Sequence, residues 1–359
     1  MFRQGKQGAL RLSGEKLRFD LSITNGEDFI STMDGILIVD KTQGPTSHDV
    51  VSQVRRILKE KRVGHTGTLD PFATGVLVLM VGKATRLARF LSTDEKEYEA
   101  TIRFGYSTDT GDLTGAPNSP VNDLEAQTRP LSAISILQLE SVMDQLRGEI
   151  EQIPPMYSAK KIAGKKLYEL ARRGEEVERK AVQVTISQFE TTGASQFSDS
   201  GQPVVPFSRN SDGTLDLTVR VVCSAGTYVR TLAEDLGKLL GTRAHLVALR
   251  RNRAGTFRIE NSISLDKLKI ASETGGNFSE LILSPQSALS LMPFLHLSTV
   301  DAQKVRHGRF VPVSHLPDGD FRDCQPVRLH DENDELIAIG YFDKAKNIIE
   351  PRIVLSAEN

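Results

Sequence analysis

Residues 64–75, GHTGTLDPFATG, hold three glycines, three threonines, a proline and a single acid, Asp70, with no Lys or Arg in the stretch to pair with it. A glycine-rich loop invites a phosphate cradle, but the spacing fails. Gly82-Lys83 is followed by Ala84, Leu77 stands where a P-loop needs its first glycine, and no GxGxxG fingerprint occurs here. The acid is therefore the chemical feature. Pro71 has no N–H and biases Asp70 toward extended backbone, which keeps it out of a helix interior. Gly64, Gly67 and Gly75 allow close backbone approach or positive φ. Two readings follow: a carboxylate held at the rim of a cleft by a rigid loop, or an Asp that caps a turn, as Asp before Pro often does.

Three other residues could serve such a carboxylate. Tyr228 and Arg230 lie in CSAGTYVRTLAED (223–235), where a strand gives way to a helix. Arg230 either reaches Asp70, keeping it ionised and lowering its pKa, or pairs with Glu234 one turn on. Tyr98, in KEYEATI, is either a core tyrosine or a ring that stacks on a base with its hydroxyl toward the reacting atoms. His65, with no cysteine or second histidine close to it in sequence, reads as a polar contact rather than a metal ligand.

The elements that must position these residues follow from periodicity. GILIVDK (35–41) and VLVLMVG (76–82) are short apolar runs that predict buried strands. Ser47 can cap a helix running to about Glu60 with Val50, Val51, Val54, Ile57 and Leu58 inward. KATRLARFL predicts a short helix. EYEATIRFGY (97–106) alternates strictly and places Tyr98, Ala100, Ile102 and Phe104 on one face. Residues 134–148 read as a helix with Ile136, Leu139, Val142, Met143 and Leu146 inward; IPPMYSAKK is a loop, KKLYELARR a short helix, 194–214 a polar loop, and 215–224 a strand. A helix follows from Tyr228 to about Leu240, then a linker around 272–294 and short strands over 327–355 that suggest a small β domain. Without a regular βαβ rhythm, the fold class is α+β around a mixed, largely antiparallel sheet with flanking helices.

Composition bounds the function. The 359-residue chain is 39% hydrophobic and 25% charged, with no run of eighteen apolar residues and no signal-peptide pattern at its start, which makes cytoplasm the expected location and a membrane partner unexpected. Cys223 and Cys324 form no CxxC, so neither a disulfide framework nor structural zinc is expected. The net charge of −1 hides a segregation: residues 260–359 sum to −5 and residues 1–259 to +4. Basic residues crowd into 51–62, 155–180 and 241–258. Each window is a solvated face or, if the three converge, an electrostatic footprint for nucleic acid.

In order and spacing, GILIVDKTQGPTSHDVV, RVGHTGTLDPFATGVLVLMVGKATRL, KEYEATIRFGYSTDTGD, GEIEQIPPMYSAKKIAGKKLYELARRG and CSAGTYVRTLAEDLG with AHLVALRR closely resemble the bacterial tRNA pseudouridine-55 synthases. The likeness runs from about 35 to 258, and GHTGxLDP is highly specific to that family and its guide-RNA-dependent relatives. Residues from about 296 to 355 resemble, more weakly, a PUA-type RNA-binding β domain.

The resemblance implies an isomerase that breaks the C1′–N1 bond of a flipped uridine in the tRNA T-loop and rejoins the sugar to C5, with no metal and no organic cofactor. It implies a domain plan of extension (1–34), catalytic domain (35–290, with 151–182 contacting RNA) and PUA-like domain (295–357). Asp70 becomes the essential carboxylate, either attacking C1′ or taking a sugar proton; Arg230 becomes its partner; Tyr98 stacks on the base and can assist loss of the C5 proton. His65, Tyr228 and Leu249 line the nucleotide pocket, and Lys41, Lys160 and Lys161 are placed among the residues that meet substrate. The partner implied is the tRNA T-arm, bound by a monomer without an obligate protein partner. A non-catalytic tRNA-binding or tRNA-folding protein, a guide-RNA-dependent subunit and, more distantly, a glycoside hydrolase are the alternatives. Thr42 replaces the family's usual proline, and 1–34 and 194–214 have no assigned counterpart.

Overall fold

The computed structural model describes residues 33–92, 94–118, 134–162, 164–192, 196–197, 203–204, 207–313 and 321–356. Residues 1–32 of the expected extension, and most of 194–206, lie outside them. The first eleven main elements are β1 (Gly35–Lys41), α1 (Ser47–Leu58), β2 (Val63–His65), β3 (Thr74–Val81), β4 (Lys96–Phe104), α2 (Ile136–Gln145), β5 (Gly148–Gln152), β6 (Val182–Thr191), β7 (Leu215–Cys223), α3 (Val229–Leu239) and β8 (Ala244–Ala254). They build one sheet in the order β1-β3-β8-β4-β7-β6-β5. β3 and β8 run parallel, while every other pair in that path is antiparallel, so the sheet is mixed and largely antiparallel as the sequence suggests.

The apolar runs of β1 and β3 are buried on both faces, which is why they show no alternation. One face, with Leu37, Val39, Leu77 and Leu79, packs with Val50, Val51 and Val54 of α1 and Leu232 and Leu236 of α3. The opposite face, with Ile36, Ile38, Val76, Val78 and Met80, packs with Ala84, Leu87 and Leu91 of the turn and short helix after β3. β4 is covered on one side only: Tyr98, Ala100, Ile102 and Phe104 are buried, and Glu97 and Arg103 on the other side pair with Arg220, Arg253 and Asp216. The alternation read from the sequence is this one-sided burial.

Three local expectations change. The cap of α1 is Thr46, whose side chain accepts from Asp49 N–H in a reciprocal capping box, so Ser47 is left free for another contact. The interval 272–294 is not a linker: α4 (Leu265–Glu273) ends within it, and Ile282–Leu283 adds an antiparallel rung to β1. The basic segment forms a two-residue hairpin, Lys161–Ile162 with Lys165–Lys166, ahead of the short helix Leu167–Ala171.

The C-terminal part contains β9 (Phe294–His296), α5 (Thr299–Arg306), β10 (Val311–Pro312), β11 (Pro326–His330), β12 (Leu336–Asp343) and β13 (Ile348–Val354). They form a five-stranded sheet, β9-β11-β12-β13-β10. Leu336, Ile339, Ile353 and Leu355 do not stay within it; they join the same apolar cluster as Ile36, Val78 and Leu87.

Candidate active site

Asp70 sits where three restraints converge on its loop. Ser47 Oγ donates to Leu69 O (3.0 Å) and accepts from Leu69 N–H (2.8 Å), pinning the residue before the acid to the start of α1. Lys41, at the end of β1, donates from Nζ to Ala73 O (2.6 Å), Pro71 O (3.2 Å) and Thr42 O (3.1 Å). Arg251, in β8, donates from Nε to Val76 O (2.7 Å) and from a terminal nitrogen to Gly67 O (3.1 Å). Gly75 closes the loop at φ +100, where a Cβ would lie 2.2 Å from Arg251 O, so glycine is required there by both conformation and space. Replacing Ser47 with Ala leaves a buried N–H and carbonyl of Leu69 unpartnered. The expected result is a loss of about 1–3 kcal/mol of stability, read by thermal melts, together with slower turnover from a loosened loop.

Arg230 enters from the first turn of α3, two residues beyond Tyr228, which caps the helix. Its guanidinium is buried, and Nε lies 3.0 Å from Asp70 Oδ2. The terminal nitrogens donate to Thr110 O (2.8 Å) and Tyr157 O (2.7 Å), and one lies 3.5 Å from Asp112 Oδ2. The pairing is thus with Asp70, not with Glu234. Asp112 is itself held by Thr110 and Thr114. Together, Asp70, Arg230 and Asp112 form an acid–base–acid row, buried at Arg230 and Asp112.

The electrostatics correct one expectation. Burial is the largest influence on Asp70 and raises its pKa; Arg230 and Lys41 oppose it, and Asp112 adds to it, so the net direction is upward rather than downward. The side chain nonetheless keeps 32% of its surface open to the cleft. Burial likewise pushes the Lys41 ammonium down to about 8 and lifts the phenols of Tyr98 and Tyr228 above their ordinary value.

The cleft has a volume of about 300 Å³ and is bordered by Asp70, Tyr98, Tyr228, Arg230, Leu249 and Arg251, with the 66–69 loop and Ser224–Thr227 at its edges. Five of the residues singled out from the sequence therefore meet at one surface. His65 does not line it; it lies in β2, with Nδ1 buried and unpartnered among the described residues, and burial followed by Arg251 keeps its pKa low. Lys41 is a second correction. It is fully buried, and its ammonium is taken up by backbone carbonyls, so it shapes the loop and offers nothing to a substrate. Lys160 and Lys161 stand at the segment that also supplies Tyr157 O to Arg230, with Lys161 exposed.

Sequence reasoning missed Asp112, Arg251 and Lys96. Asp112 lies in YSTDTGDLTG, a second acid-bearing turn rich in Gly and Thr, and that likeness to the first loop was the available signal. Arg251 was hidden in a basic window. No group of three or more His, Cys, Asp or Glu side chains among the described residues is arranged to hold a metal.

Comparison with known proteins gives the family of the chain. Residues 55–229 match the TruB family pseudouridylate synthase N-terminal domain, and residues 230–289 match the tRNA pseudouridylate synthase B C-terminal domain. The tRNA pseudouridine synthase B of Bacillus pumilus is 37% identical over 329 residues, covering 91% of this chain and 99% of the relative. That of Thermobifida fusca is 44% identical over 283 residues, covering 79% and 88%. Among solved structures, a Cbf5-Nop10-Gar1 complex contains a chain that matches with a TM-score of 0.64 and 25% identity, over 90% of this chain and 86% of the other. With this coverage and identity, the chain belongs to the TruB family of pseudouridylate synthases.

Proposed function

We propose that the protein isomerises uridine to pseudouridine in the T-arm of tRNA, with Asp70 as its essential carboxylate. The observation that supports this most is that Asp70 is the only carboxylate among the described residues bordering the cleft, gripped by a buried Arg230 and close to Tyr98. A glycosidase needs a second carboxylate at the site to protonate a departing group or activate water. An isomerase retains its leaving base, so one carboxylate suffices. Asp70 borders the cleft with about two thirds of its side chain covered, and an enzyme cannot reach C1′ and C5 of a stacked base, so the nucleotide must flip in. Tyr98 then stacks on the base; because burial holds its phenol above the ordinary range, it enters as the neutral hydroxyl. On the same reading His65, at the end of β2, fills the gap left in the RNA, and Tyr228 and Leu249 flank the nucleotide. On this reading, residues 35–290 form the catalytic domain, residues 295–357 form a PUA-like RNA-binding domain, and the chain acts as a monomer in the cytoplasm.

The test is tritium release from C5-labelled uridine in a minimal T-arm stem-loop with this protein alone. Release is expected. None in the absence of other proteins or a guide RNA would show that the chain is a subunit or a binding protein instead. Changing Lys160 and Lys161 together to Ala is expected to weaken stem-loop binding and flatten the slope of log K against log salt by about 1–2; unchanged affinity at every salt concentration removes them from the RNA contact.

A further inference from the structure

Two buried cations border the cleft without a carboxylate to neutralise them. Arg251 is 2% exposed and Lys96 6% exposed, and neither forms an ion pair among the described residues. The Arg251 hydrogen bonds in the loop end on carbonyl oxygens. Lys96 donates to the carbonyls of Ser92 (2.8 Å) and Asp94, and the Asp94 carboxylate biases it only from outside ion-pair range. A charge removed from water without a counter-charge is costly unless something else answers it. The two also repel each other, since Arg251 adds to burial in lowering the Lys96 pKa. Neutral carbonyls hold both side chains in place while leaving their charge uncancelled. That is the arrangement expected where an anion appears only during reaction.

Their place relative to Asp70 gives that anion an identity. Lys96 and Tyr98 alternate onto the same face of β4, and Tyr98 is directly opposite Arg251 in the β4–β8 register. Asp70 feels Arg230, Asp112 and Lys41, whereas Tyr98 feels both Asp70 and Arg251. Tyr98 thus shares the cleft with the carboxylate and the cation, and faces Arg251 across the two strands. With ribose at Asp70 and the base on Tyr98, which is the reading proposed above and on which this inference rests, the base extends toward Arg251 and Lys96.

We propose that Arg251 and Lys96 form a cationic wall that stabilises the uracil anion released when the C1′–N1 bond breaks. The electron pair of that bond passes into the uracil ring and spreads over O2 and O4. The ribose is balanced either by a bond from Asp70 oxygen to C1′ or by transfer of the C2′ proton to Asp70, leaving a C1′–C2′ double bond. In both routes the uracil carries one negative charge until its C5 bonds to C1′, as the Asp70–C1′ bond breaks or Asp70 returns its proton to C2′; C5 then loses its proton and N1 gains one, leaving Asp70 a carboxylate again. The wall acts on the step the two routes share.

The experiment uses enzyme in excess over T-arm stem-loops carrying uridine or 5-fluorouridine at the target position, and follows loss of the parent nucleoside by chromatography of nuclease digests. Fluorine withdraws electron density, so its uracil needs less outside help to leave as an anion. Lys96→Met is expected to slow uridine at least about tenfold and 5-fluorouridine less than about threefold; Arg251→Met, which also releases the loop at Gly67 and Val76, is expected to slow uridine more than 5-fluorouridine. Arg251→Lys should recover part of the uridine rate. Equal slowing of both substrates, as from a distorted fold, or no slowing of either, overturns the proposal. If Arg251→Met does not fold, Lys96→Met decides by the same comparison. A wild-type protein that leaves uridine unchanged overturns the proposed function instead, and so is told apart.

Discussion

Asp70→Asn is expected to lower single-turnover isomerisation of a T-arm uridine by about 10⁴-fold while leaving stem-loop affinity nearly unchanged. Both routes at the sugar need a carboxylate oxygen, as nucleophile or as base, and an amide supplies neither. The substitution keeps the shape of the loop, because Lys41, Ser47 and Arg251 grip its backbone rather than the Asp70 side chain. The raised pKa of Asp70 adds two checks. Activity needs the ionised form, so the acid limb of the wild-type pH–rate profile lies above the ordinary carboxylate range, and the rate falls as pH drops through it. The folded state holds the Asp70 proton more tightly than the unfolded chain does. Ionising Asp70 therefore costs stability, and the cost grows as pH rises from the unfolded value through the higher folded one. The Asn variant removes it and should melt no lower than wild type at neutral pH. A variant that remains within tenfold of wild type removes Asp70 from the chemistry.

Arg230→Met is the other large effect: about 10²–10³-fold in kcat, and about 3–5 kcal/mol of stability, because two acids are left facing each other in a buried site. Asp70 and Asp112 then lack the cation between them, and Asp112 already pushes the Asp70 pKa upward. The acid limb should move to higher pH, a shift that mere loosening of the fold would not produce. Arg230→Lys should recover little, because one ammonium with three protons cannot reach Asp70, Asp112, Thr110 O and Tyr157 O together. Thermal melts and pH–rate profiles of the two variants measure both effects. A pH profile identical to that of wild type would mean that Arg230 does not tune the acid.

The parts of the site legible in the sequence were those written in local pattern. Strict alternation placed Tyr98 on the buried face of β4, and Pro71 kept Asp70 out of a helix. Leu249 and Arg251 were harder. The β8 register with β4 shifts between Leu246 and Ala248 and again between Arg251 and Arg253, so period-two reading cannot carry an inward face along ALRRNR, and a buried arginine looks like one more surface charge. Ser47 misled for a different reason. Thr46 and Ser47 can each cap a helix, and only the distant Leu69 decides which one is free for the loop. The Ile282–Leu283 rung on β1 is two residues long, too short to show any period.

The direction of the Asp70 pKa was misjudged because the sequence shows the partner and not the enclosure. An arginine nearby argues downward, but the sum depends on how much water the walls exclude and on a second acid, Asp112, that no spacing rule connects to Asp70. Lys41 shows the same limit: a lysine at the end of an apolar run looks available, and two carbonyls from a later loop, with that of Thr42, enclose it.

The apolar cluster in which Leu336, Ile339, Ile353 and Leu355 meet Ile36, Val78 and Leu87 bears on how such a chain can change over generations. A tail joined by a tether could be lost, traded or appended by recombination with no penalty to the rest. Here a break before β9 would strip cover from strands β1 and β3, the same two that end at Lys41 and begin beside Asp70. The C-terminal sheet and the strands that carry the candidate site thus share one packing interior, so a substitution that loosens one is felt by the other.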